Sequence, residues 1–90
     1  MPKYVIEREA PGAGKMSLED IKDSSLKSRN VMKDMDSDIH WVQSYISDDK
    51  IYCVYVAPNE QAIRDHGERA GLPVTRISKV VRAIDATTAE

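Results

Sequence analysis

Three side chains in this sequence can hold a metal or move a proton near neutral pH: His40, Cys53 and His66. They are its two histidines and its single cysteine. Imidazole titrates close to physiological pH. Imidazole and thiolate together form the mixed nitrogen–sulfur donor set that soft and borderline metal ions prefer. No short motif of the His-x-x-x-His kind joins the three, so only the fold can bring them together. His66 follows Ala62 and precedes Gly67 and Ala70 on the inner side of a short helix. Small neighbours leave room beside the ring, either for a ligand or for a packed sheet. It is therefore a metal ligand or acid–base group in a cavity, or a hydrogen-bonded core histidine. Cys53 lies mid-strand among apolar residues, where a free cysteine is either a small core residue or a soft ligand. A nucleophilic role needs a partner that lowers its pKa, and no spacing here supplies one. His40 is expected on the same side as Cys53, either as the third ligand or as an exposed strand-end residue.

These groups are positioned by a strand-to-helix step. Ile51-Tyr52-Cys53-Val54-Tyr55-Val56-Ala57 is an apolar, β-branched and aromatic run stopped by Pro58, and Asn59 then caps a helix. Gly71 ends that helix as a left-handed cap, and Pro73 prevents its resumption. Upstream, Ile39 to Ile46 and Lys50 to Ala57 read as two strands joined by the polar turn Ser47-Asp48-Asp49-Lys50. That turn sets Ile46 opposite Ile51, Tyr45 opposite Tyr52 and Ser44 opposite Cys53. With strict alternation, one side carries Trp41, Gln43, Tyr45, Tyr52, Val54 and Val56. The other carries His40, Val42, Ser44, Ile46, Ile51, Cys53, Tyr55 and Ala57. Both sides are largely apolar, unlike a sheet with one wet face.

Lys3 to Glu9 reads as a first strand, closed by the breaker Ala10-Pro11-Gly12-Ala13-Gly14. Gly14-Lys15 lacks the upstream glycine and the following Ser or Thr of a phosphate loop, with Glu9 and Met16 at those places. Ser17 caps a long helix that places Leu18, Ile21, Ser25, Ser28, Met32 and Met35 on one side. Val74 to Ile84 reads as the last strand, and residues 85–90 as a loose polar tail behind a single domain of residues 1–84. The order β-α-β-β-α-β predicts an α+β, ferredoxin-like fold with two helices on one face of a four-stranded antiparallel sheet. In so short a chain the second face is expected to meet another copy. The aromatic stripe Trp41, Tyr45 and Tyr52 then forms the dimer interface, or else a small-molecule pocket.

The sequence has 90 residues, 41% hydrophobic and 31% charged, with a net charge of −2. That balance, with acids and bases interspersed, gives no footprint for nucleic acid. No apolar run suggests a signal peptide or a membrane span, so a cytoplasmic protein without a membrane partner is expected.

Several segments together resemble a small bacterial family known as domain of unknown function number 4242. They are Tyr4-Val5-Ile6-Glu7-Arg8, Trp41-Val42-Gln43-Ser44-Tyr45, Cys53-Val54-Tyr55-Val56-Ala57-Pro58-Asn59-Glu60, His66, Gly71-Leu72-Pro73 and Ile77-Ser78-Lys79-Val80. The resemblance implies a dimeric α/β barrel and, for some members, nickel binding. Of the ligands it implies, His66 carries over, while Glu7, Arg8 and Glu9 stand where nickel-binding members have extra histidines. On that basis the first reading is a non-catalytic dimeric protein for nickel or another divalent metal, with His66 as ligand and His40 or Cys53 beside it. A second is a small-molecule-binding protein or cofactor-free enzyme with a pocket between helices and sheet. There His66 would act as acid or base, with Tyr55, Ser44 and His40 in the wall. A third is a structural or regulatory dimer.

Overall fold

The computed structural model describes residues 1–90. Its elements are β1 (Lys3–Glu9), α1 (Leu18–Asp34), β2 (His40–Ile46), β3 (Lys50–Val56), α2 (Glu60–Ala70) and β4 (Arg76–Lys79). Short 3-10 turns cover Ala13–Lys15 and Ala86–Ala89. The strands form one sheet in the order β2-β3-β1-β4, antiparallel throughout. With both helices on one face, this is the ferredoxin-like arrangement expected from the element order. No helix is long and apolar enough to cross a membrane.

The helix boundaries follow from local chemistry. Ser17 Oγ accepts the Asp20 N–H at 3.0 Å, and Asn59 Oδ1 accepts the Ala62 N–H at 2.9 Å. Each side chain satisfies a donor that the first helical turn leaves free. Gly71 closes α2 at φ 69°, and the Leu72 N–H reaches back to the Gly67 carbonyl at 2.8 Å. A left-handed residue there favours glycine. The β2–β3 turn is held to the loop after β1, with the Gly12 N–H on Asp49 Oδ1 and the Gly14 N–H on the Asp48 carbonyl, both 3.0 Å.

The core lies between the helices and the inner sheet face. Tyr4, Ile6, Ile39, Cys53, Tyr55, Ala57, Ala62 and Ile63 are its buried apolar members. Alternation along β1 puts Arg8 on the same face as Tyr4 and Ile6, and it is buried with them. Gly67 lets α2 approach the chain that follows it. A Cβ there would stand 2.9 Å from Val74 Cγ2 and 3.0 Å from the Leu72 carbonyl oxygen. Gly67→Ala is therefore expected to cost about 1–3 kcal/mol by overpacking. Urea unfolding measures this, and a variant within about 0.5 kcal/mol of wild type contradicts a tight contact.

Three expectations need correction. First, β2 does not alternate strictly. A bulge between Trp41 and Gln43 leaves Val42 unpaired and 52% exposed. From Gln43 onward the register is as expected, with Ser44 opposite Cys53 and Tyr45 opposite Tyr52. Before it, the faces swap: Trp41 pairs with Tyr55 on the inner face, and His40 pairs with Val56 on the outer. Second, the last strand is short. β1 begins at Lys3, whose carbonyl takes the Val80 N–H at 2.8 Å, and there is no neighbouring strand beyond it to pair with. Val81 and Ile84 are consequently exposed, and in the polar tail beyond them residues Ala86–Ala89 form an exposed turn capped by Asp85. Third, Leu18 points away from the core and is 86% exposed.

Candidate functional site

The inner face of α1 is unusually small. Ser24, Ser25 and Ser28 occupy it where larger side chains would reach the sheet. The result is a cavity of about 190 Å³ between α1 and the sheet. Its floor is Trp41, Ser44, Ile46, Ile51, Cys53 and Tyr55. Ile21 joins the three serines in the roof, Met16 and Leu72 flank the space, and it opens to solvent past the exposed Ser24 and Ile46. The bulge in β2 matters here, because it turns the indole of Trp41 inward. The Trp41 Nε1–H donates to Ser44 Oγ at 2.8 Å, fixing both against the floor.

A polar core adjoins this cavity. His66 is fully buried, and its Nε2 lies 3.1 Å from Ser28 Oγ and 3.2 Å from the Ser28 carbonyl oxygen. A carbonyl can only accept, so Nε2 carries the proton and Nδ1 keeps its lone pair. Nδ1 has no partner. The ring stacks obliquely on Tyr55, with centroids 5.6 Å apart. Burial pushes the His66 pKa below its ordinary 6.5, and the neighbouring Arg8 charge pushes the same way, against the Ser28 carbonyl. Burial likewise raises Tyr55 above its ordinary 10.0 and Cys53 adds to this, while Arg8 and Ser28 oppose the rise.

Sequence reasoning missed Arg8. The residue is 2% exposed, and Nη1 donates to the Leu72 and Pro73 carbonyls at 3.2 and 3.1 Å. The signal was present in the period-two spacing of Tyr4, Ile6 and Arg8, but the flanking Glu7 and Glu9 made the segment read as solvated charge.

The structure brings Cys53, Tyr55, Ser44 and Trp41 to one cavity, with His66 packed behind Tyr55. It does not bring His40 there. His40 sits at the outer strand end, with Nε2 2.7 Å from Asp38 Oδ1, and both side chains are exposed. Tyr45 and Tyr52 are paired on the outer face. No group of three or more His, Cys, Asp or Glu side chains is placed to share a metal ion. His66 offers only its buried Nδ1, beside a fixed cation. The residues of one protomer thus do not fit a complete site for a divalent metal.

A family model described as "Nickel responsive protein SCO4226-like" matches residues 4–80. The chain belongs to this family. A solved structure, SCO4226 from Streptomyces coelicolor A3(2), is similar to it with a TM-score of 0.78 at 19% sequence identity. The alignment covers 91% of this chain and 99% of that one. At that identity the likeness speaks for the fold alone, which it shares with this nickel responsive family member. No curated protein matches the chain. Family membership agrees with the resemblance carried by the Cys53–Glu60 segment, His66 and Gly71-Leu72-Pro73, all of which fall within the matched residues.

Proposed function

We propose that this nickel responsive family member is a small, non-catalytic, dimeric binding protein whose ligand occupies the cavity beneath α1. The carrying observation is the lining. The apolar side chains of Met16, Ile21, Trp41, Ile46, Ile51 and Leu72 meet polar groups of Ser28, Ser44, Tyr55 and Cys53 in one lining. Small-molecule sites combine these features. An apolar protein cavity of about 150 Å³ holds benzene, so 190 Å³ suits a compact ligand of about six to nine heavy atoms. Trp41 is the chain's only tryptophan and stands in the floor, so its emission reports occupancy. Titration with hexan-1-ol is expected to give a saturable emission change. Ser25→Leu fills the roof and is expected to abolish that change while leaving stability equal or higher, as cavity-filling substitutions do. A linear, unsaturable response, or an unaltered response in Ser25→Leu, opposes the reading.

A second reading is a divalent-metal site, nickel first, with His66 as ligand and Cys53 the other donor on the inner face. It is supported by the family description and by the unpartnered Nδ1. Calorimetric titration with nickel chloride separates the two. The metal reading expects His66→Ala to weaken nickel at least tenfold; the cavity reading expects no change. The dimer is supported by the outer sheet face, which no element of the protomer covers. A cytoplasmic setting suits the free Cys53, which stays reduced there.

A further inference from the structure

Arg8 poses a charge problem. A guanidinium keeps its proton in proteins, and an unpaired buried charge is costly. Yet the buried residues include no aspartate or glutamate. Two carbonyls satisfy Nη1, while Nε and Nη2 are buried and have no partner. The other polar groups gathered at this point are the Tyr55 hydroxyl, Ser28 and His66, all neutral. One protomer therefore buries a permanent positive charge with no anion to match it.

The charge stands directly behind the cavity. Leu72 and Tyr55 form part of the cavity wall, and Arg8 bonds to the carbonyl of the first and lies against the second. We propose that the cavity's ligand is a small monocarboxylate with a compact apolar body. Its head meets the Tyr55 hydroxyl and the Ser28 hydroxyl, where Arg8 balances its charge, and its tail lies on Ile46, Ile51 and Trp41. A carboxylate accepts from both hydroxyls in charge-assisted bonds, about twice as strong as neutral ones, while the guanidinium, which does not line the cavity, acts on it through its charge alone. The largely apolar floor disfavours a strongly hydrated anion such as phosphate. This inference rests on the cavity being the binding site, and adds the chemical class of the occupant.

The test compares three ligands of one shape: hexanoate, hexanamide and hexan-1-ol, each titrated against wild-type protein at pH 7.5 with Trp41 emission as readout. Hexanoate is expected to bind at least tenfold tighter than hexanamide. In Arg8→Met, checked for folding by circular dichroism, that margin is expected to vanish, while Arg8→Lys keeps part of it. Equal binding of acid and amide overturns the carboxylate assignment and leaves the cavity reading standing. Absence of binding by all three overturns both. Where an Arg8 variant does not fold, the wild-type series alone decides.

Discussion

The His66→Ala variant is expected to unfold about 2–4 kcal/mol more easily than wild type. The ring is fully buried, and its removal leaves a void against Tyr55 and deletes the contact with Ser28. Its titration matters as much as its volume. The groups facing it are Arg8, Tyr55 and Ser28, and a protonated ring would add a second cation to a core already holding one. Burial therefore holds the folded pKa below 6.5. The unfolded chain takes up the proton near 6.5 and the folded chain does not, so the unfolded state binds more protons in that window. Stability is full above the unfolded value, falls as pH drops through it, and levels off once the folded ring is also charged. His66→Gln keeps an N–H for the Ser28 carbonyl but cannot titrate. Urea unfolding at pH 7.5 and 5.5 is expected to show a smaller acid loss in His66→Gln than in wild type. An equal loss in both proteins contradicts a buried neutral imidazole.

A second large effect is expected at the outer sheet face. Only 14 of the 90 residues are buried in the protomer, which is a thin core for a chain of this size. The outer face presents Val5 (36% exposed) and Tyr45 (56% exposed), with Tyr52, Val54 and Val56 half-covered between them. Glu7 and Glu9 bracket Lys50 on the same face, at 3.5 and 3.6 Å. The proposed dimer buries this apolar strip against its twin. Tyr45→Glu sets a carboxylate directly opposite Tyr52, where Lys50, the neighbouring cation on that face, is already shared by Glu7 and Glu9. Association is expected to weaken roughly 100-fold. Analytical ultracentrifugation reads this as a fall from twice 10.1 kDa to 10.1 kDa at micromolar concentration. A wild-type monomer, or a Tyr45→Glu dimer of undiminished strength, contradicts the proposed interface. Trp41, expected in that stripe, stands on the other face and leaves the strip to the two tyrosines and the valines.

The sequence showed the architecture because its local signals agree with one another. Ser17, Asn59 and Gly71 cap where their chemistry says they should, and the Ser47–Lys50 turn fixes the β2–β3 register. The site was less legible for specific reasons. The bulge at Val42 consumes a residue without any glycine or proline to announce it, and everything before it changes face. That one residue moves Trp41 into the cavity and His40 out of it. Arg8 obeyed the alternation of β1, but its charge argued against burial unless a buried anion were also sought. The cavity itself comes from what is missing, since Ser24, Ser25 and Ser28 are small on a helix that stands off from the sheet. Spacing shows which face such residues occupy, but not whether the helix closes the distance.

The proposed ligand sits in the space beneath α1. Amide chemical-shift mapping of labelled wild-type protein with hexanoate tests that most directly. The expected shifts cluster at Ser24, Ser25, Ser28, Ser44, Cys53 and the Trp41 indole N–H, and saturate together. Shifts gathered instead on Val5, Tyr45 and Val54 of the outer face, or none that saturate, would contradict it.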